Sequence, residues 1–238
     1  MRLSPRCETK KLSKSIKLPY LYYIVYFVKI MNQKNPLGLN KCFLDLDDPF
    51  QLFERWFADA KSKEINDPNA LALGTANKEG IPSVRMVLLT GFDQTGFIFY
   101  TNLNSQKGKE LKENPNATMC FHWKSLLRQI RIVGTLQLVD KKTADDYYNT
   151  RAYESRIGAW ASKQSSILKN RDELLKALED FKKKYNDKDN VPRPDYWSGW
   201  NLKPTSIEFW LDGDNRIHER LKYILTKDNT WVKNILSP

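Results

Sequence analysis

Residues 70–102, ALALGTANKEGIPSVRMVLLTGFDQTGFIFYTN, decide the fold. Side-chain character changes with a period of two and β-branched and aromatic residues are frequent, which is the pattern of half-buried strands. The breaks at Asn77-Lys78-Glu79-Gly80 and Gly91-Phe92-Asp93-Gln94-Thr95-Gly96 carry turn chemistry. The spacing predicts strands over 70–76, 81–89 and 97–101, joined as consecutive antiparallel hairpins. Further strand-like runs follow at 117–123 and 129–139. Short antiparallel strands in this number close economically into a small barrel, because closure leaves no unpaired edge.

Outward from that core the period lengthens. Asp48 before Pro49 is a helix-start signal, and Phe50, Phe53, Trp56, Phe57 and Ala60 then recur at helical spacing as one core-facing stripe. A short helix is expected over 104–112, between strands. Helical patterns return at 141–151, 154–162 and 171–185, the last with acids and lysines on a solvated face. The charged run 182–188 and Val191-Pro192-Arg193-Pro194 read as loop, and strands are expected at 206–211, 221–226 and 230–236. The class is α+β: a small antiparallel barrel with flanking helices, one domain over 47–238, and a leader over 1–46 outside the core.

The chain has 238 residues, 41% hydrophobic and 28% charged, so it can bury a core without disulfides or a structural metal. Cys7, Cys42 and Cys120 form no C-x-x-C pair, and His122 and His218 show no H-x-x-x-H spacing. Disulfide scaffolds, thiolate zinc sites and most zinc hydrolases are thereby excluded, and a cytoplasmic, reducing compartment is expected. Of the net charge of +11, +6 falls in residues 1–30, where seven Lys or Arg face one acid. The rest is only mildly basic, which argues against nucleic acid as a partner. Within the leader, the apolar run 18–28 is too short to span a bilayer, so no stable membrane span is expected. A basic, apolar leader also suits organelle targeting, mitochondrial included, or an upstream extension of a chain that starts at Met31.

No G-x-G-x-x-G, G-x-x-x-x-G-K-[ST] or G-x-S-x-G occurs, so dinucleotide folds, P-loops and hydrolase elbows have no anchor. Cations and polar groups do cluster near strand ends and helix starts: Arg85, Lys107, Gln129, Arg131, Arg151, Gln164, Ser165, Arg216 and Arg220. These types suit phosphate oxygens, although each taken singly reads first as a surface charge.

Read together, nine strings bring out a family likeness. They are S-x-R-M-V-L-L at 83–89, F-Y-T-N at 99–102, K-G-K-E-L at 107–111, N-P-N-A at 114–117, R-Q-I-R-I-V-G at 128–134, I-G-A-W-A-S-K-Q-S-S at 157–166, P-D-Y-W-S-G-W at 194–200, I-E-F-W at 207–210 and R-I-H-E-R at 216–220. In this order they resemble the pyridoxine (pyridoxamine) 5′-phosphate oxidase family. The resemblance implies an FMN-binding split barrel and a homodimer with FMN at its interface. It implies flavin contacts from Arg85, Met86, Val87, Leu88, Leu89, Tyr100, Thr101, Lys107, Gln129, Gln164, Ser165, Trp210 and Arg220. Substrate contacts are implied for Tyr147, Arg151 and Ser155 around the phosphate, with Thr90 at the position of a family lysine. Arg216 and His218 are implied near the pyridine ring, as the catalytic pair. The implied reaction oxidises pyridoxine or pyridoxamine 5′-phosphate to pyridoxal 5′-phosphate with O₂ and releases hydrogen peroxide.

The chain departs from the family pattern in places. Thr90 replaces the lysine that ends R-x-V-L-L-K, Gln106 replaces the arginine of S-R-K, Tyr153 stands where S-R-P-R has its second arginine, Leu211 stands in the W-Q-G string, and Ile235 replaces a terminal basic residue. A lost charge-assisted hydrogen bond costs about 1.5–3 kcal/mol. A rival from another class therefore stands beside the oxidase: a homologue that binds flavin or pyridoxal 5′-phosphate without turnover, as sensor or carrier.

Overall fold

A computed structural model describes residues 35–238, and residues 1–34 of the expected leader lie outside them. Two compact units divide between Asp45 and Leu46. In the first, Asn35 Oδ1 accepts hydrogen bonds from the Leu37 and Leu39 amides at 2.9 and 3.1 Å, closing a tight turn. The second unit carries the sheet and all the helices that follow.

Helix α1 (Pro49–Lys63) starts where the sequence places it: Asp48 accepts from the Phe50 amide at 2.9 Å and proline fills the first turn. Its apolar stripe is buried. Phe53 is fully enclosed, with ring centroids 4.8–5.6 Å from Phe57, Phe92, Phe97 and Phe121. This aromatic cluster fastens α1 to the strands.

Nine antiparallel strands form one sheet: β1 (Ala70–Ala76), β2 (Pro82–Leu88), β3 (Gly91–Asp93), β4 (Gly96–Asn102), β5 (Asn116–Trp123), β6 (Arg128–Leu138), β7 (Trp197–Leu211), β8 (Glu219–Leu225) and β9 (Trp231–Leu236). The order is β2-β1-β5-β6-β7-β4-β3, with β8 added to β7 and β9 to β8. The outer sides of β2 and β3 carry no strand partner in this sheet, so the curled sheet stops short of the closed barrel expected from strand number. It is a half-barrel of the α+β class. Helices α2 (Gln106–Glu113), α3 (Lys141–Asn149), α4 (Tyr153–Ala161) and α5 (Arg171–Lys184) lie between strands in the chain.

Three local expectations are corrected. The first hairpin, β1 with β2, forms, but β4 pairs with β3 and β7, so the second expected hairpin, of 81–89 with 97–101, does not. The segment 91–96 is not all turn: Phe92 packs against Phe53 and Phe57, which draws Gly91–Asp93 into a short strand. Strand β7 begins at Trp197, nine residues before the expected 206. Pro204 conceals it in sequence, because an internal proline normally argues against a strand. Here β4 covers one edge of β7 as far as Leu202, and β8 takes over at Ser206. Pro204 lies in the gap, where its missing N–H costs no ladder bond. Opposite it, a side chain on Gly134 would come 2.1 Å from the Lys203 carbonyl oxygen, so glycine alone fits the bulge between Val133 and Gly134.

Replacing Phe53 by alanine is expected to destabilise the fold by about 3–5 kcal/mol, the usual cost of an aromatic-to-alanine change in a core. Urea unfolding measures this, and a loss under about 1 kcal/mol would show that α1 is not fastened through this ring.

Candidate active site

A cavity of about 560 Å³ opens where the ends of β2 and β4 meet α2, α4 and the start of β7. Its lining includes Met86, Val87, Leu88 and Thr90 from the β2 end, Tyr100, Thr101 and Asn102 from β4, and Lys107 from α2. Tyr147 of α3, Arg151, then Ser155, Gly158 and Ala159 of α4, Ser162, Gln164 and Trp197 complete it. The structure thus brings together eleven of the residues implied by the sequence resemblance.

The cavity has an aromatic wall, one buried cation and one half-buried cation. Tyr100 stacks on Tyr147 at 4.0 Å between ring centroids and on Trp197 at 5.2 Å, with the planes within 14° of parallel. Room for the Tyr100 ring comes from Gly199, where a Cβ would approach the ring to 2.7 Å. Burial, reinforced by Tyr147, raises the Tyr100 pKa, so its hydroxyl stays protonated at neutral pH.

Lys107 is 8% exposed. Its ammonium donates to Thr101 Oγ1 at 3.2 Å, Ser105 Oγ at 3.3 Å and Gln164 Oε1 at 3.1 Å, so none of these acceptors is a carboxylate. Burial lowers the Lys107 pKa, and the nearby charge of Arg85 lowers it further. Arg151 lies over the Trp197 ring at 4.6 Å, and its Nη1 is buried without a hydrogen-bond partner. Burial depresses its pKa as well. An ammonium held only by neutral oxygens and a guanidinium nitrogen held by nothing are donors that an incoming anion would satisfy.

The remaining implied residues lie elsewhere. Leu89 is buried and lines a separate cavity of about 450 Å³ with Phe57, Lys61 and Phe92. Ser165 is exposed with φ of +68°, just beyond the lining residue Gln164. Arg85 is not among the residues that line the cavity; its Nη2 pairs with Glu110 Oε2 at 3.2 Å. Gln129, Trp210 and Arg220 form a second patch, aligned across β6, β7 and β8 by strand register. The His218 ring is 4.6 Å from that of Trp210, and its Nδ1 lies 3.0 Å from Asp212 Oδ1. Arg220 Nε donates to buried Glu208 at 2.9 Å. Arg216 follows Asn215 in a turn where both have positive φ, 65° and 55°, a conformation costly for residues with side chains.

Sequence reasoning singled out neither Trp197 nor Asn102 as site residues, although both stand inside strings quoted for the resemblance. A tryptophan within P-D-Y-W-S-G-W reads as core, and only its stacking under Tyr100 and Arg151 reveals a cavity wall.

Comparison with known proteins shows the family of the chain. A family profile described as pyridoxamine 5′-phosphate oxidase matches residues 57–185, and one described as the pyridoxine 5′-phosphate oxidase C-terminal dimerisation region matches 197–238. The chain belongs to the pyridoxamine 5′-phosphate oxidase family. It is an oxidoreductase of that family and has the family's C-terminal dimerisation region. The pyridoxine/pyridoxamine 5′-phosphate oxidase of Pelagibacter ubique is 67% identical over 208 residues, covering 87% of this chain and 100% of the relative. That of Sinorhizobium fredii is 52% identical, with coverage of 76% and 87%. Among solved structures, PhzG from Burkholderia lata 383, in complex with tetrahydrophenazine-1-carboxylic acid, superposes with a TM-score of 0.78 at 29% identity, covering 88% of this chain and 100% of that one. An FMN-binding protein from Nostoc punctiforme shares the fold, with a TM-score of 0.65 at 16% identity, covering 82% and 99%. No helix among the described residues is long and apolar enough to cross a membrane.

Lys107→Met is expected to raise the melting temperature of the ligand-free oxidase, because it removes a buried charge lacking a carboxylate partner and keeps the volume. A gain of about 1 kcal/mol corresponds to roughly 2–4 °C at this chain length. Calorimetry decides, and a lower melting temperature would show that the ammonium stabilises the empty site.

Proposed function

We propose that the chain oxidises pyridoxine 5′-phosphate and pyridoxamine 5′-phosphate to pyridoxal 5′-phosphate, with FMN as cofactor and O₂ as the final acceptor. The observation that carries this reading is a pair of cations, the buried Lys107 and the half-buried Arg151 with its enclosed, unpartnered Nη1, in one cavity with stacked aromatic rings. Two phosphorylated planar molecules need such a site: a cation for each phosphate and flat surfaces for the rings. When bound, FMN supplies the hydride acceptance and the return of the electrons to O₂ as hydrogen peroxide. The alcohol substrate loses two electrons and two protons to become the aldehyde. The amine loses the same and then takes up water to release ammonia.

The chain itself binds and orients. Lys107, with Thr101, Gln164 and Ser165 near it, would hold the FMN phosphate, and residues 85–89 would run along the flavin. Arg151, with Tyr147 and Ser155, would hold the substrate phosphate, its guanidinium already fixed over Trp197. Phosphate binding away from the reacting carbon holds the pyridine ring in register for transfer, so these contacts bear on turnover as well as affinity.

Gln129, Trp210, Arg216, His218 and Arg220 would join the same site from a second copy. Within one chain, Trp197 and Trp210 stand at opposite ends of β7, roughly 40 Å apart along an extended strand before curl is counted. Next to the cavity, β2 presents Val84, Met86 and Leu88 with exposures of 71, 65 and 49%, an apolar face suited to a second subunit. A homodimer would cover this face and bring the two patches together.

Full-length protein purified with FMN is expected to be a yellow dimer. It should form pyridoxal 5′-phosphate and hydrogen peroxide in equal amounts from pyridoxine 5′-phosphate. Bound flavin with no peroxide at millimolar substrate would overturn the oxidase reading in favour of a non-catalytic carrier.

Thr90 adds a second test. Its hydroxyl donates to the Ile98 carbonyl at 3.0 Å, so its proton is committed to the backbone while the residue lines the cavity. Thr90→Lys is expected to lower KM for the phosphorylated substrate about tenfold, the worth of one charge-assisted contact. An unchanged or higher KM would show that Arg151 alone suffices.

A further inference from the structure

Glu110 is a buried carboxylate in a region otherwise built from cations. It lies on α2, three residues after Lys107, and its side chain is only 9% exposed. An acid here reduces the positive potential available to an anion, so its presence needs a reason other than attraction.

The hydrogen bonds supply one. Glu110 Oε2 accepts from Thr75 Oγ1 at 2.5 Å, Ser83 Oγ at 2.7 Å and Arg85 Nη2 at 3.2 Å. Its Oε1 accepts from Ser83 Oγ at 2.8 Å and Gln106 Nε2 at 2.9 Å. Arg85 Nη1 in turn donates to the Leu73 carbonyl at 3.2 Å and to Thr75 Oγ1, and its Nη2 donates to Ser83 Oγ. The guanidinium is therefore pinned across β1 and β2. Burial opposes ionisation of Glu110, but the donors Thr75, Ser83 and Gln106, with the charge of Arg85, hold its carboxyl below the usual range, so it is charged at neutral pH. The Arg85 charge is felt at Lys107, whose pKa it helps to lower.

We propose that Glu110 is a positioning residue for flavin-phosphate binding: it fixes the Arg85 guanidinium beside Lys107, so that the two cations face the phosphate as a preorganised pair. The proposal rests on the FMN reading given above. It also assigns Gln106, which stands where the family resemblance has an arginine. The Gln106 amide is turned to Glu110 and completes the shell of the carboxylate instead of meeting the phosphate.

Flavin-free full-length protein, titrated with FMN and separately with riboflavin while flavin fluorescence is followed, tests this without reference to turnover. Riboflavin carries the same ring system and no phosphate. Glu110→Gln, nearly equal in size, is expected to weaken FMN about tenfold and to leave riboflavin within about twofold. Gln106→Ala, at an exposed position, should weaken FMN about twofold in the same selective way. In a double-mutant cycle, Glu110→Gln should add little once Arg85→Met is present. Equal losses for FMN and riboflavin would reduce Glu110 to a structural role and overturn the proposal, as would additive losses or FMN binding that is unchanged or tighter. Wild-type protein that binds no FMN would overturn the functional reading and the proposal together, so the two failures are distinguishable.

Discussion

Strand β7 is the constraint on which the rest of the structure depends. It pairs along one edge with β6, and along the other first with β4 and then with β8. Whatever faces a ligand is set by its position along these fifteen residues. The first half holds Trp197 and, through β4, Tyr100 and Thr101. The second half holds Trp210 and, through its neighbours, Gln129 and Arg220. A continuous strand keeps these two groups of residues apart within one subunit. Pro204 and Gly134 lie where the partner on one edge changes and the ladder to β6 bulges, and there the missing N–H and the missing side chain cost nothing.

Charge is distributed on a related logic. Among the described residues, the buried Lys107 and the half-buried Arg151 have no carboxylate hydrogen-bonded to them, an arrangement that costs stability unless an anion offsets it. Arg85 and Arg220 are treated differently, since each is held by a buried glutamate, Glu110 and Glu208. For Glu208, burial opposes ionisation and the Arg220 and Arg131 donors more than offset it, whereas for Glu110 the offset comes first from Thr75, Ser83 and Gln106. The fold thus leaves two cations without a carboxylate partner and fixes the geometry of two others through one. The stacked rings of Tyr147, Tyr100 and Trp197 complete the division by giving a planar ligand a rigid wall at little cost in side-chain entropy.

Much of this was legible in particular residues. The Asp48-Pro49 start of α1, its aromatic stripe, the β1–β2 hairpin and the helices after Asp140 follow from local periodicity and capping, which act over a few residues and leave their mark there. The strand at Gly91–Asp93 and the first half of β7 were not legible, because the packing of Phe92 and the pairing partners of Trp197–Leu202 come from far along the chain. The same division runs through the site. Lys107, Tyr100, Thr101, Tyr147 and Arg151 could be named from the family resemblance, whereas the wall role of Trp197 and the grip of Glu110 on Arg85 could not.

By itself the sequence determined the α+β class, the family and the kinds of groups available to hold phosphates, because strand and helix periods, turn residues and ordered motifs are properties of neighbours in the chain. Tertiary structure decided which groups share a cavity, which cations are left without partners and which are locked to carboxylates. Those outcomes depend on burial and on pairings between distant strands, and the free energy of a buried charge is set by its surroundings and not by its place in the chain.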